Sequence, residues 1–503
     1  MFGDALKKEC GDYQTPEDFA DRVCRYLYDD LKIRPRYILE PTAGVGNFIQ
    51  SALNVFTQTE SIVGIEINPN YCEACRSSIH HDRVKIECRN FFGYDLSEYA
   101  VYGDEWLVIG NPPWATNAKQ TFNLPEKVNF KKLSGIDAIT GASNFDIGEA
   151  IILKLINAFQ GTKAVIAMLC KTAVARNVLQ ELNRTEEKAE YVKIINFNAL
   201  KVFGVSASAC LLVVKLSDRL YNTTLCEVSD IENPSLVKSR IQYENGVLSS
   251  LVEGVQDFEG MCQREWRQGV KHDCAAVMEL ERMDDVTYKN KRKDVLKLEK
   301  TLIFPLLKSS GLKKPIIRSG FKHYVIVTQK KTREDTAYIE SVAPRTWAYL
   351  NANKALFSSR KSSIYKGAPA FSMFGVGDYS YATYKVGISG FYKQPVFSLL
   401  YNAEEPAHPI MLDDTVYFLA FDSYDAAYVC MILLNCASVH GFLRSISFSD
   451  AKRPYTKKVL QRLDFRKCVA AVSLDELRET EKRLALKPYI TEHRYTAFKK
   501  LVG

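Results

Sequence analysis

The segment that decides the fold is EWLVIGNPPWATN, residues 105–117. Its apolar run WLVIG predicts a buried strand that stops at a glycine. An asparagine, two prolines and a tryptophan follow at once, and they are Asn111, Pro112, Pro113 and Trp114. Prolines fix φ and remove backbone donors, so this corner is rigid. A rigid polar and aromatic corner at the end of a strand indicates a functional site.

The sequence around this corner alternates apolar runs with amphipathic stretches from residue 36 to about residue 216. The runs predicted as strands are YILEP, SIVGIEI, VKIECRNFF, WLVIGNPP, KAVIAMLC, YVKIINF and ACLLVVKL. Such alternation is typical of a doubly wound, mostly parallel α/β sheet covered by helices on both faces. Ligands bind such sheets at the carboxyl ends of the strands, where NPPW falls.

A glycine loop follows the first predicted strand. Gly44 and Gly46 let the backbone approach a ligand closely, but isoleucine replaces the third glycine of the dinucleotide fingerprint. Glu66 ends the second strand about twenty residues later, where a carboxylate accepts ribose hydroxyls. Asn90 and Phe91 follow the third strand and offer a hydrogen bond and a stacking surface to adenine. Each feature alone also fits an ordinary turn; together they favour S-adenosylmethionine.

The NPPW corner has the chemistry that methylation of an exocyclic amine requires. The adenine N6 lone pair is delocalised, so two acceptors aimed at the N–H groups stabilise the charge that develops on nitrogen. The Asn111 side-chain carbonyl and the Pro112 backbone carbonyl can supply them. A base must leave the duplex to be reached, and stacking on Trp114 returns about 1–3 kcal/mol. Phe203, before the last strands, is the candidate for the opposite face.

The order of these motifs resembles that of a gamma-class N6-adenine DNA methyltransferase of bacterial restriction-modification systems. The matching segments are GDYQTP, EPTAGVGNF, VGIEIN, NFF, NPPW and VFGVSAS, within residues 11–216. The resemblance implies a class I S-adenosylmethionine-dependent methyltransferase fold, Rossmann-like and doubly wound. Less specifically, DDTVYFLAF, LLNC and SDAKRPYTKKVL resemble the end of a target-recognition domain in that family.

The resemblance also implies a role for each site residue. Thr15 and Pro16, at the start of a predicted helix with Thr15 as its N-cap, would lie against the methionine moiety. The cofactor's amino acid end would meet Glu40, Gly44 and Gly46, its ribose Glu66, and its adenine Asn90 and Phe91. Ile67, directly after Glu66, would also contact the cofactor. The target base would be held by Asn111, Pro112, Pro113, Trp114 and Phe203. The family more often has Asp at position 90 and Tyr at position 114.

Charge distribution predicts the partner of the C-terminal half. Residues 1–200 carry 22 basic and 26 acidic residues, which leaves 45 basic and 33 acidic residues of the chain's 67 and 59 for the remainder. We therefore expect residues 1–220 to form the catalytic domain and residues 221–503 a mixed α+β domain that binds double-stranded DNA. The basic stretches 289–300, 360–367 and 450–458 are candidates for phosphate contact, although each also fits a solvated surface.

Several smaller expectations complete the prediction. Residues 264–283 and the last eighty residues have helical spacing. The insert after NPPW, residues 118–145, carries Lys127, Lys131 and Lys132 and would close over the base or contact phosphates, although it also fits an ordinary surface excursion. No metal site is expected. No run is long enough to span a membrane and no signal peptide is recognisable, so we predict a cytoplasmic protein on the bacterial nucleoid.

Other functions share part of this pattern. Methyltransferases that act on RNA or on a protein glutamine also carry NPPW, but the large basic C-terminal half favours DNA. N4-cytosine methyltransferases more often have Ser in place of Asn111. A DNA-binding relative without catalysis is a third alternative. A cognate restriction endonuclease is an expected partner in function.

Overall fold

The protein is described by a computed structural model that covers residues 13–100, 106–115, 146–185, 189–219, 225–244, 246–252, 254–448 and 450–503. The chain divides into two compact units, Met1–Val252 and Glu253–Gly503. The first unit therefore ends later than the predicted boundary at residue 220. The reason is that three strands beyond residue 220 pair onto the edge of its sheet.

Among the described residues of the first unit, ten strands form one sheet. They are β1 (Tyr37–Glu40), β2 (Ser61–Glu66), β3 (Val84–Cys88), β4 (Trp106–Gly110), β5 (Val165–Lys171), β6 (Ala189–Asn198), β7 (Ser208–Leu216), β8 (Leu225–Asp230), β9 (Ser239–Glu244) and β10 (Val247–Leu251). Their spatial order is β3-β2-β1-β4-β5-β7-β6-β8-β9-β10. Strands β3 to β5 in this order are parallel, and β7 runs antiparallel between β5 and β6. This arrangement is the class I methyltransferase fold and confirms the predicted fold class.

Helices join these strands. They are α1 (Glu17–Arg25), α2 (Asn47–Val55), α3 (Pro69–Ser78), α4 (Ser97–Ala100), α5 (Ile147–Ala158), α6 (Thr172–Arg184) and α7 (Ala199–Phe203). Helix α1 begins one residue later than predicted, because Pro16 occupies the N-cap position and no side chain caps the helix. Helix α6 was not predicted. Its sequence continues directly from the apolar strand β5, so no turn signal separates the two elements.

The central strands are apolar on both faces because helices cover both. All five residues of β4 are buried, as are the first six of β5. On one face, side chains of α1 and α2 such as Phe19 and Phe48 pack against Leu107 and Ile109. Burial of this kind holds the carboxyl ends of β1, β2 and β4 in fixed positions, and the candidate site is built there.

The described part of the second unit contains a five-stranded and a six-stranded sheet, with the orders β11-β21-β18-β19-β16 and β14-β13-β12-β17-β15-β20. The strands are β11 (Arg267–Gln268), β12 (Glu279–Arg282), β13 (Thr287–Asn290), β14 (Val295–Lys297), β15 (Ile303–Leu307), β16 (Ile316–Ile317), β17 (His323–Ile326), β18 (Tyr384–Ser389), β19 (Phe397–Leu400), β20 (Met411–Leu412) and β21 (Val416–Phe421).

The helices of the second unit are concentrated near its C-terminus. They are α8 (Ala275–Met278), α9 (Ile339–Val342), α10 (Pro344–Ala352), α11 (Lys354–Ser358), α12 (Tyr424–Leu434), α13 (Ala437–Ser445), α14 (Lys457–Leu460), α15 (Phe465–Ala471), α16 (Leu474–Arg483) and α17 (Glu492–Val502). The predicted helical C-terminus is confirmed. In the described part of the chain no single helix is long and apolar enough to cross a membrane, and α12 with α13 reaches that length only across a 64° bend.

The helix predicted over residues 264–283 is wrong apart from the short α8. Arg267 pairs with Phe418 in an antiparallel ladder, and the Val270 N–H donates to the Leu412 carbonyl at 2.7 Å. Pairing with a distant strand therefore overrides the helical spacing of this segment.

Candidate functional site

The NPPW corner lies at the carboxyl end of β4, as predicted, and Asn111 has a fixed orientation there. Its side-chain Nδ2 donates to the Tyr13 backbone carbonyl at 2.8 Å. A carbonyl only accepts hydrogen bonds, so the amide must turn its NH2 group toward Tyr13. Its Oδ1 is buried and has no hydrogen-bond partner in the described part of the chain. The site thus presents an acceptor that is oriented and unpaired.

The backbone after the prolines is held at two points. Lys171, the last residue of β5, donates from Nζ to the Trp114 carbonyl at 2.8 Å and to Asp146 Oδ2 at 2.7 Å. The Ile147 N–H donates to the Ala115 carbonyl at 3.0 Å. The two flanks of the insert are therefore joined to each other. The predicted contacts of Lys127, Lys131 and Lys132 fall outside the described residues.

The two predicted stacking residues are neighbours. Trp114 is 7% exposed, and its ring lies 5.2 Å from the Phe203 ring, centroid to centroid, at an interplanar angle of 77°. Tyr13 contacts both rings, with centroids at 5.8 Å and 6.1 Å. The structure brings Trp114 and Phe203 together as an edge-to-face pair, whereas the predicted clamp requires two roughly parallel rings.

The glycine loop approaches the second strand closely. Gly44 and Gly46 have φ values of 56° and 92°, which L side chains rarely adopt. A Cβ on Gly46 would lie 2.5 Å from Cys75 Sγ. The N–H groups of Gly44 and Asn68 donate to the two carboxylate oxygens of Glu66, each at 2.8 Å. These two bonds fix the orientation of the Glu66 carboxylate.

Glu40 is a second buried carboxyl group beside this loop. It is 2% exposed, and its Oε2 has no hydrogen-bond partner among the described residues. Burial, and then the negative charge of Glu66, raise its pKa well above the usual range. Thr15 is buried, and its carbonyl accepts from Asn47 Nδ2 at 2.7 Å. A cationic ligand group would satisfy the unpaired oxygen of Glu40.

The predicted adenine site has one buried and one exposed member, and Ile67, a further predicted cofactor residue, is also exposed. Asn90 is exposed, and its Oδ1 accepts from the Phe92 N–H at 3.0 Å, so its predicted role as an acceptor competes with a turn. Phe91 is 4% exposed, whereas Ile67 is 44% exposed. Lys154 Nζ lies 4.9 Å from the Phe91 ring centroid. An apolar surface at Ile67 and a packed aromatic at Phe91 thus stand at the ends of adjacent strands.

Three residues that organise the site were not predicted, namely Tyr13, Lys154 and Lys171. Tyr13 had a signal, since it lies two residues before Thr15 in the GDYQTP motif. The two lysines had none, because a single lysine after an apolar run or within an amphipathic helix normally faces solvent. Only the fold brings their ammonium groups to backbone carbonyls.

The basic stretches of the second unit separate into paired and unpaired cations. Arg453 and Lys457 form ion pairs with Asp414 and Glu265. In the 289–300 stretch, Lys291 is paired with Glu279 at 2.6 Å. A cation that is paired with a carboxylate is a weaker candidate for phosphate contact than an unpaired one.

The turn of the β13–β14 hairpin carries an exposed cation, Lys293. Asn290 is buried, and its Oδ1 accepts the N–H groups of Arg292 and Asp294 at 2.9 and 3.0 Å. Its Nδ2 donates to Asp294 Oδ2 and to the Tyr349 hydroxyl, each at 2.9 Å. These bonds fix the turn, and Lys293 projects from it, exposed and with no ion pair to any described residue. The hairpin is therefore a rigid basic tip.

Comparison with known proteins gives two similar sequences. No protein-family model matches the chain. The type II methyltransferase M.NspV of Nostoc sp. (strain ATCC 29411 / PCC 7524) is 38% identical over 471 residues, which are 91% of this chain and 96% of that protein. The type II methyltransferase M.CvrRI of Paramecium bursaria Chlorella virus XZ-6E is 35% identical over 113 residues, 22% of this chain and 27% of that protein.

Two solved structures resemble the chain over less than half its length. A modification subunit of a putative type I restriction enzyme from Vibrio vulnificus YJ016 covers 46% of this chain and 48% of its own, with 14% identity and a TM-score of 0.31. A putative class I S-adenosylmethionine-dependent methyltransferase from Listeria monocytogenes covers 44% and 68%, with 12% identity and a TM-score of 0.32.

Proposed function

The chain belongs to the type II methyltransferases of restriction-modification systems, and on that premise we propose that it methylates N6 of a flipped-out adenine in double-stranded DNA. S-adenosylmethionine is the cofactor and supplies a methyl group on a sulfonium centre. The described residues fit it. Glu40 offers an unpaired buried oxygen to the α-ammonium group, Glu66 a fixed carboxylate to the ribose, and the glycine loop a tight backbone turn at positive φ.

The observation that carries the proposal is the unpaired Oδ1 of Asn111. An N6 amino group has two N–H donors, and its nitrogen becomes positively charged as the new N–C bond forms. Oδ1 can accept one N–H, and the Pro112 carbonyl is the proposed acceptor for the other. Because Oδ1 is already oriented by the bond to Tyr13, no reorganisation is needed when charge develops. The excess proton then leaves the nitrogen for solvent.

The proposal is tested by identifying the labelled nucleoside. The protein is incubated with tritiated S-adenosylmethionine and unmethylated DNA, and the DNA is digested to nucleosides. Label in N6-methyladenine is expected. Label in N4-methylcytosine, or only in RNA or in protein, would refute the proposal and favour one of the alternative substrates.

A variant of Asn111 tests the residue itself. Asn111→Ala should abolish transfer while S-adenosylhomocysteine still binds, because the substitution removes an acceptor and leaves Glu40, Glu66 and the glycine loop in place. Asn183→Ala is the matched control, since Asn183 Nδ2 also donates to a backbone carbonyl, that of Leu179 at 2.8 Å, but on α6. Turnover of Asn111→Ala within a few-fold of the parent would remove Asn111 from the mechanism.

We further propose that the second unit recognises the DNA target and that the β13–β14 hairpin contacts phosphates. The exposed, unpaired charge of Lys293 on a turn fixed by Asn290 supports this role. Phosphate contacts supply affinity and register, not sequence choice. A cognate endonuclease would then cleave the same sequence when it is unmethylated, and the protein would act on the chromosome in the bacterial cytoplasm.

A further inference from the structure

Lys154 on α5 makes an unusual set of contacts for a lysine. Its Nζ donates to the backbone carbonyls of Phe91, Phe92 and Tyr94, each at 2.8 Å. An ammonium group has three donors, so all three are used on one turn. This turn follows β3 and carries Asn90 and Phe91. No carboxylate forms an ion pair with Lys154 among the described residues, and burial lowers its pKa.

Lys171 holds the NPPW corner through a backbone carbonyl, as Lys154 holds the turn after β3. Its Nζ joins the Trp114 carbonyl to the Asp146 carboxylate, and the Asp146 Oδ1 accepts the Gly148 N–H at 3.0 Å, which caps α5. The lysine therefore connects the residue after the prolines to the first turn of the helix. Its own side chain is 30% exposed, and that of Asp146 is 11% exposed.

Both connections end on the same helix. At its N-terminus α5 receives the NPPW backbone through Lys171, Asp146 and the bond from Ile147 to Ala115. A Cβ on Gly148 would lie 3.3 Å from Pro112 Cγ, so the helix is also packed closely against the first proline. Two turns later, Lys154 holds the turn after β3. Helix α5 thus supports the proposed target-base loop at one end and the proposed adenine loop further along.

We propose that Lys154 and Lys171 are positioning residues, which fix the cofactor's adenine loop and the target-base corner, respectively, on a common helix. The inference rests on the proposed function. Neither lysine needs to touch a substrate, because each acts on backbone carbonyls of the loop it holds. The two lysines should therefore affect different steps, Lys154 the binding of cofactor and Lys171 the transfer of the methyl group.

The test compares Lys154→Gln and Lys171→Gln. Affinity for S-adenosylhomocysteine is measured by titration calorimetry, and the rate of transfer is measured in a single turnover at saturating cofactor. Because a hydrogen bond to a charged group contributes enough to change an equilibrium by about tenfold or more, Lys154→Gln should weaken S-adenosylhomocysteine binding by at least about tenfold. Lys171→Gln should slow transfer by a similar factor and leave that affinity within about threefold of the parent.

Lys215→Gln is the matched control. Lys215 is a half-buried lysine of the same sheet, paired with Glu190 at 2.8 Å. It lies opposite Val165 on β5, whereas Lys171 lies opposite Ala209, so at about 3.3 Å per residue the two lysines are about 20 Å apart. Loss of a half-buried lysine in general would affect all three variants alike. Lys215→Gln should leave both affinity and rate within about threefold of the parent.

The outcomes separate a positioning role from a structural one. Equal losses of affinity and rate in both variants, or no loss in either, would overturn the proposal. If either Gln variant does not fold, the Arg variants, which keep the charge, are measured instead. Lys154→Arg should then weaken S-adenosylhomocysteine binding and Lys171→Arg should slow transfer, each by a smaller factor than the Gln variant. If the parent labels another acceptor, the proposed function fails, and the transfer rate of the Lys171 variant is then measured on that acceptor while the titration of the Lys154 variant is unchanged.

Discussion

Replacing Glu40 by Gln should stabilise the free protein and weaken cofactor binding. Burial first, and then the charge of Glu66, raise the pKa of Glu40 in the folded state, while a backbone hydrogen bond from Ile49 acts in the opposite direction. A carboxyl group whose pKa is raised on folding contributes most to folding stability at pH values below its unfolded pKa of about 4.3. That contribution is lost as the pH rises toward the folded pKa.

The size of the effect follows from linkage. Between the two pKa values, one extra proton bound in the folded state makes stability fall by about 1.4 kcal/mol per pH unit. Gln has the same shape and does not titrate, so this part of the slope should disappear in the variant. The cofactor's ammonium group would in turn lose a charged partner, a hydrogen bond of about 1.5–3 kcal/mol, which is about a tenfold to hundredfold loss of affinity.

The assay is thermal unfolding from pH 5 to pH 8, with and without S-adenosylhomocysteine. The stability difference between Glu40→Gln and the parent should widen with pH in the free protein, and the ligand should raise the melting temperature of the variant less. Glu481→Gln is the control, and it should lower the stability of the protein rather than raise it. Glu481 is equally buried, but its Oε1 accepts from the Tyr428 hydroxyl and the N–H groups of Tyr489 and Ile490. A Glu40→Gln variant that is less stable at pH 7 and binds ligand normally would refute the reasoning.

Three further substitutions address other parts of the site. Gly46→Ala should cost about 1–3 kcal/mol of stability, because φ is 92° and the new Cβ would lie 2.5 Å from Cys75 Sγ; a melting curve unchanged from the parent would contradict this. Trp114→Ala should lower kcat/KM for DNA by about 10- to 100-fold and Trp114→Phe by less, since base stacking contributes about 1–3 kcal/mol; equal effects would exclude stacking. Lys293→Ala should reduce the slope of log affinity for DNA against log salt by about 0.9, whereas Lys467→Ala, which removes a lysine paired with Asp257, should not.

The first unit was predictable because its strands are buried on both faces. Runs such as WLVIG and VIAMLC are apolar throughout, so position in the sheet could be inferred from composition alone. The strands β8 to β10 were missed for the opposite reason. Strand β8 has three buried residues, and β9 and β10 have one each, so none of them is a continuous apolar run.

The candidate site was predictable as a set of residues but not as a geometry. Motif order placed Glu40, Glu66 and Asn111 at the carboxyl ends of β1, β2 and β4, where the structure has them. Neither the bond from Asn111 to Tyr13 nor the two lysine contacts could be predicted, because they join positions that are distant in sequence through backbone carbonyls. A carbonyl has no residue type, so a sequence motif does not record which carbonyl a side chain will reach.

The edge-to-face contact of Trp114 with Phe203 has a consequence for base entry. In the proposed function, a purine that takes the place of Phe203 against Trp114 breaks this contact, which costs an aromatic pair of about 0.5–1.5 kcal/mol. Stacking of the base on one aromatic face returns about 1–3 kcal/mol, so the exchange is close to balanced. Phe203 is only half-buried and lies at the end of a five-residue helix, directly before Gly204, which has a φ of 68°. Of the two rings it is therefore the one that can move, while Trp114, buried and held through its carbonyl by Lys171, stays in place. On the proposed function, this balance favours a site that opens for a base already leaving the duplex over one that draws a paired base out.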